Sequence, residues 1–175
     1  PVVFETDLNS EDTNGDGIPD HQELNDPTDM DGDGTPDDQQ DDIKCVRTED
    51  GLRYFGISFK GSASVAAIDS VQSEEAGSIL ANSGPYGRPE SLPFGLIHFK
   101  LLLTQPGATA TVVVYLSEPT DGSSKWYKYD PIEVLWLDYY PLAQFSADRT
   151  NLTVTLQDGG FGDADGVENG IIVDP

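Results

Sequence analysis

Arg53-Tyr54-Phe55-Gly56-Ile57-Ser58-Phe59-Lys60 alternates apolar side chains with polar or small ones. Successive strand residues point to opposite faces of a sheet, so Phe55, Ile57 and Phe59 fall on a buried face and Tyr54, Gly56, Ser58 and Lys60 on a wet one. Outward from this stretch, β-branched and aromatic runs are broken by Gly, Pro, Asp and Ser clusters about every eight to twelve residues. The rhythm predicts strands over 44–48, 53–59, 63–71, 96–103, 109–116, 125–129, 132–137, 151–157 and 171–173, in an all-β, antiparallel β-sandwich. Glu49-Asp50-Gly51 and Asp130-Pro131 supply turns. Leu101-Leu102-Leu103 and Val112-Val113-Val114 do not alternate, which predicts strands covered on both faces. The stretch 73–93 reads as a long loop. No helix longer than a turn or two is expected.

Before residue 43 the chain changes character. Asp12-Thr13-Asn14-Gly15-Asp16-Gly17-Ile18-Pro19-Asp20-His21-Gln22-Glu23 sets oxygen ligands at positions 1, 3, 5, 9 and 12 of a calcium loop, namely Asp12, Asn14, Asp16, Asp20 and Glu23. Glycine stands at position 6, and the Ile18 carbonyl falls at position 7. A hard divalent cation takes six to eight oxygens at about 2.3–2.6 Å, and one short turn of this spacing supplies them. Seventeen residues later Asp29, Asp31, Asp33, Gly34, the Thr35 carbonyl and Asp37 repeat the pattern, with Gln40 at position 12. The flanks are not those of an EF-hand. Residues 24–28 leave no room for two helices, Asp26-Pro27 breaks a helix, and Pro19 and Pro36 remove the position-8 amide. Asp-x-Asn-Gly-Asp-Gly-Ile-Pro-Asp followed by Asp-Pro-Thr-Asp-Met-Asp-Gly-Asp-Gly-Thr-Pro-Asp closely resembles bacterial thrombospondin type 3 repeats, over about residues 7–42. The resemblance implies an extracellular stalk element wound around Ca2+.

The formal charge of −23 is uneven: residues 1–50 carry seventeen acids against Lys44 and Arg47. Two carboxylates about 4 Å apart repel by roughly 4 kcal/mol at an effective dielectric near 20, so calcium is expected to be a folding requirement for residues 1–42. The same acidity argues against nucleic acid or anionic membrane as partners. No segment approaches the roughly 18 apolar residues of a membrane span. A lone Cys45 makes no internal disulfide and reads as a small buried residue.

Toward the C-terminus, Phe94-Gly95-Leu96-Ile97-His98-Phe99-Lys100, Pro106-Gly107-Ala108-Thr109-Ala110-Thr111-Val112, Trp126-Tyr127-Lys128-Tyr129 and Asp158-Gly159-Gly160-Phe161-Gly162-Asp163-Ala164-Asp165-Gly166-Val167-Glu168-Asn169-Gly170 stand out. With Leu152-Thr153-Val154-Thr155-Leu156 and Ile171-Ile172-Val173-Asp174, they resemble the bacterial choice-of-anchor U domain, over about residues 51–175. Glu168 stands where that family carries a small residue. The resemblance implies a secreted or cell-surface location and a non-catalytic role. Read from the residues alone, Asp158, Asp163, Asp165, the Val167 carbonyl, Asn169 and Asp174 form a third oxygen-rich loop, and a glycine-rich turn capped by aspartates without a metal is the other reading.

Two domains follow: a helix-poor calcium-loop element over 1–42 and a sandwich over 43–175. His21 reads as a solvated spacer and His98 as a satisfied strand histidine. No nucleophile elbow or Ser-His-Asp pattern is visible, so no catalysis is expected. The expected function is that of an extracellular, calcium-binding structural module of a bacterial surface or secreted protein. Expected partners are calcium ions, other cell-surface proteins or copies of itself, since Val2-Val3-Phe4 or Ile171-Ile172-Val173 could add as a strand to a neighbour and build a filament. A carbohydrate-binding or adhesive module is the alternative, with Trp126, Tyr127, Tyr129, Trp136, Tyr139 and Tyr140 as a platform for glycans.

Overall fold

The computed structural model describes residues 11–75, 77, 89–130, 133 and 135–174. The strands are β1 (Ile43–Arg47), β2 (Tyr54–Ser58), β3 (Val65–Glu74), β4 (Leu96–Leu103), β5 (Thr109–Leu116), β6 (Tyr127–Asp130), β7 (Leu135–Asp138), β8 (Ala143–Phe145), β9 (Asn151–Gln157) and β10 (Ile171–Asp174). Every pairing among them is antiparallel: a five-stranded sheet β1-β2-β5-β9-β8, a three-stranded sheet β10-β4-β3 and the hairpin β6-β7. The expected all-β class is therefore the observed one. Val2-Val3-Phe4, most of the 73–93 loop, Pro131, Ile132 and Pro175 lie outside the described residues.

Between the two larger sheets lies one core. Val46, Phe55, Ile57, Val112, Val114, Leu152 and Val154 from the five-stranded sheet meet Ile68, Val71, Phe99, Leu101 and Ile172 from the other. The Tyr54-to-Phe59 alternation gives the inward facing of Phe55 and Ile57, but the other face is not wet as expected: Gly56 and Ser58 are buried too. The Leu101–Leu103 and Val112–Val114 runs are not covered equally on both sides. Leu101, Val112 and Val114 are buried, whereas Leu102, Leu103 and Val113 are only half-buried. Val113 stands in register between Ser58 and Thr153 on the outer face of this sheet. At the first hairpin the Gly51 amide donates to the Thr48 carbonyl at 2.8 Å, and Gly51 has φ +73°. Strand β8 was not predicted, because three residues are too few to display a period.

Residues 11–42 are not an independent tail. Ile18 enters the sandwich core. Strand β3 is an edge, and its free backbone is taken by the first acidic loop: the Val71 amide donates to the Gly17 carbonyl at 3.0 Å. Two residues on, the Gln22 carboxamide copies a strand's pairing, donating to the Ser73 carbonyl and accepting from the Ser73 amide, both at 2.7 Å. Gln22 is 2 % exposed, so each bond is shielded from water. An open sheet edge is a template for unwanted pairing, and this element covers it. The second acidic loop packs on the outer face of the five-stranded sheet, where Met30, Ile43 and Cys45 crowd Gly56 so closely that a Cβ there would lie 2.7 Å from the Cys45 sulfur.

Candidate metal centre

The two acidic loops are the same structure built twice. In each, the position-9 aspartate accepts from the position-2 amide: Asp20 from Thr13 at 2.7 Å and Asp37 from Met30 at 3.0 Å. The backbone amides of Asp20 and Asp37 donate to the Glu11 and Thr28 carbonyls, at 2.8 and 2.7 Å. A 3-10 turn follows in both, over Asp20–Gln22 and Asp37–Gln39. Gly15 and Gly32 have φ of +73° and +71°, and Gly17 and Gly34 have +86° and +89°, in the left-handed region that glycine occupies without strain. Hence glycine recurs at these places.

Position 1 nucleates each turn. Asp12 accepts from the Gly15 and Gly17 amides at 2.7 and 2.9 Å, and Asp29 accepts from Asp33 and Gly34 at 3.1 and 3.0 Å. Asp16 and Asp33 accept from the amides of Ile18 and Thr35. In the first loop Asn14 stands among the acids, its Nδ2 donating to Asp16 at 3.2 Å and to Glu23 at 2.7 Å. Asp20 is turned to Thr13, whose hydroxyl donates at 2.6 Å and holds its carboxyl below the usual carboxylate range. Its place is that of a brace joining the two ends of the loop.

In the second loop Asp29, Asp31 and Asp37 bring one oxygen each within 4.8 Å of one another. Lys60, beyond the end of β2, reaches into this cluster with its Nζ 2.8 Å from Asp31 and 2.6 Å from Asp33. The two carboxylates hold the Lys60 ammonium above its ordinary range, and Lys60 with the Thr35 amide lowers Asp33. Gln40 donates to the Thr35 carbonyl at 3.1 Å. Buried Asp37 accepts from the Thr28 hydroxyl at 2.7 Å and the Cys45 thiol at 3.2 Å. Burial and the neighbouring Asp37 push the Cys45 thiol up, so it packs as a weak donor and is not a poised nucleophile.

No family model, curated protein or solved structure matches this chain.

The donor set is what a hard cation takes. Side-chain oxygens at positions 1, 3 and 5, carboxylates save for Asn14, a position-7 carbonyl and a side-chain oxygen at position 12 are all oxygen donors. An ion held by Asp29, Asp31, Asp33 and Thr35, or by Asp12, Asn14, Asp16, Ile18 and Glu23, would neutralise the acids that the turn crowds together.

The third oxygen-rich loop is spent differently. Asp158 is 0 % exposed and accepts from the amides of Gly107, Gly170 and Asn169 at 2.7, 2.8 and 3.2 Å. Burial raises its pKa, but these amides and that of Ile171 outweigh burial and hold it below the usual range. Asp163 ties Gly159 to Val173, at 2.8 and 3.1 Å, and burial raises it. Asp165 accepts from the Val167 amide and from Asn169, whose own oxygen accepts from Ile171. Val167 is exposed. Asp174 pairs with Lys128 at 2.6 Å, both under 6 % exposed. Among the described residues neither these carboxylates nor those of the first loop converge as the second-loop trio does; the third-loop acids staple the 158–170 turn to β10 and to the β4–β5 connection. Glu168 lies across Gly107 and Gly159, and a Cβ at Gly159 would stand 2.5 Å from its Cγ.

Asp158→Asn is expected to cost roughly 3 kcal/mol by urea denaturation at pH 7, because amides lose a buried acceptor and meet an NH2 group. The sign with pH follows from a depressed folded pKa. Stability from Asp158 is complete above its unfolded value of about 3.9 and is lost as pH falls through the lower folded value, so the difference between wild type and variant narrows below about pH 4.

Gln22, Lys60 and Cys45 were not singled out as site residues in the sequence. Gln22 carries a signal in hindsight, since the repeat puts Gln39 at the same position, exposed, while Gln22 is buried. Of the two histidines, His21 Nε2 is 2.9 Å from Glu49; buried His98 lies 3.2 Å from Glu74, but its Nε2 makes no hydrogen bond among the described residues, so it is not the satisfied strand histidine expected.

Proposed function

We propose that the chain is a non-enzymatic, calcium-binding structural module of an extracellular or cell-surface protein, in which two type-3-like loops hold Ca2+ and lock the N-terminal element onto a choice-of-anchor-like sandwich. The observation that carries the reading is Lys60. An ammonium drawn between Asp31 and Asp33 marks the point where the second loop's acids gather a cation, and a calcium ion brings twice the charge and accepts more oxygens.

The physical consequence is mechanical. With its acids neutralised, each loop keeps its turn, and the turns present Gly17, Ile18 and Gln22 to β3 and Met30 and Asp37 to β1 and β2. The element then has a fixed attitude to the sandwich, as a spacer or assembling part on a surface needs. No helix among the described residues is long and apolar enough to cross a membrane. Neighbouring surface proteins or further copies of the chain are the partners this role calls for, and open-ended assembly through a terminal strand belongs to the same reading.

Calorimetric titration with calcium tests it. Saturable binding at two sites is expected, with dissociation constants at or below roughly the millimolar range of extracellular modules. Lys60→Met is expected to tighten the second site about tenfold at low salt, since the resident unit charge repels the ion. The gain should shrink as salt screens it. Absence of any calcium heat, or a Lys60→Met chain that binds less well, would count against the assignment.

A further inference from the structure

A cavity of about 440 Å³ opens between the start of β4, the β5–β6 connection and the β6-β7 hairpin. Its size falls within the roughly 300–1,000 Å³ of small-molecule sites. Phe94, Leu116 and Leu152 give it an apolar floor, and Trp126, Tyr129 and Trp136 line it as well. Tyr129 and Trp136 face each other in register across β6 and β7, their ring centroids 5.2 Å apart and tilted by 48°.

Two polar atoms on residues lining this cavity have no hydrogen-bond partner among the described residues. One is the Trp126 indole Nε1, a donor only. The other is Oδ2 of Asp174, which is 2 % exposed, while its Oδ1 is held by Lys128 at 2.6 Å. A buried polar group left without a partner costs about 1–3 kcal/mol, so this end of the molecule is set to receive something that satisfies both. A carboxylate or phosphate dianion has no proton for Asp174 Oδ2, and an ammonium has no lone pair for the indole N–H. Hydroxyl groups serve each of them, accepting from Trp126 and donating to Asp174. Burial pushes the Asp174 carboxyl up, and a hydroxyl serves its protonated form equally by accepting.

We propose that this cavity is a binding site for a neutral saccharide ring, with Trp126 and Asp174 reading its hydroxyls and the Tyr129 and Trp136 rings meeting its C–H face. The ring's mixture of apolar face and hydroxyl edge matches the mixture of aromatic wall and orphaned polar atoms. The site is separate from the calcium reading and does not depend on it.

The experiment titrates the full chain, in calcium buffer, with glucose, galactose, mannose, N-acetylglucosamine, cellobiose and lactose. Readouts are intrinsic fluorescence and the indole N–H resonances, assigned with Trp126→Phe. At least one sugar is expected to shift the Trp126 N–H resonance saturably. Trp126→Phe, which keeps a ring and loses the donor, is expected to bind about tenfold more weakly with its urea midpoint unchanged. A Trp126 resonance unmoved by every sugar means that water alone satisfies these atoms, and overturns the proposal even if the variant fails to fold. A folded Trp126→Phe chain that binds as wild type overturns it too.

Discussion

Excess EGTA added to the calcium-loaded chain should lower its melting temperature by about 10–20 °C. A site saturated a hundredfold over its dissociation constant adds about 2.7 kcal/mol, two such sites about 5 kcal/mol, and each kcal/mol moves the transition by about 2–4 °C in a chain of this size. Self-repulsion acts in the same direction, because residues 1–50 hold seventeen acids. The loss should be local first. Amides that the carboxylates accept from, those of Gly17, Ile18, Gly34 and Thr35, should exchange with solvent earliest, and Val71 and Ser73 should follow as the first loop leaves β3. Scanning calorimetry and hydrogen exchange read the two effects separately. A transition and protection pattern identical with and without chelator would end the calcium reading.

Gly17→Ala should destabilise the chain by about 4 kcal/mol and release the first loop. Gly17 has φ +86°, and a Cβ there would stand 2.0 Å from the Asp69 carbonyl oxygen, a backbone atom that cannot swing aside. Undocking exposes Ile18, whose burial contributes roughly 1.5–3 kcal/mol, and wets the Gln22–Ser73 bonds, each contributing about 1 kcal/mol. The repeat supplies its own control. Gly34 holds the same place in the second loop with φ +89° and nothing within 4 Å of its Cβ position, so Gly34→Ala should cost only the left-handed strain, about 1–2 kcal/mol. Urea midpoints for the pair isolate the docking contribution. Equal losses would mean that β3 does not hold the first loop.

Two kinds of information were legible before the fold was known. Alternation at Tyr54 to Phe59 named the inner residues of β2, and turn chemistry at Glu49-Asp50-Gly51 named the first hairpin, because both depend on neighbours along the chain. The seventeen-residue repeat likewise announced two equal turns, since glycine at a left-handed position and aspartate accepting local amides are short-range requirements. Asp158, Asp163 and Asp174 show where such reading stops. Their spacing around Gly166 is compatible with an ion or with a stapled turn, and the choice rests on the Gly107 amide and Lys128, distant in sequence.

The amino-acid order by itself determined the all-β class, most strand positions and the paired acidic turns, all consequences of periods and of φ preferences acting within a few residues. Tertiary structure alone decided that Gln22 completes the edge of β3, that Lys60 enters the second loop, and that the third group of acids meets remote amides and a buried lysine. Hydrogen-bond partners and charges from remote segments are brought together only by sheet register and packing, and no local pattern encodes which of them will arrive.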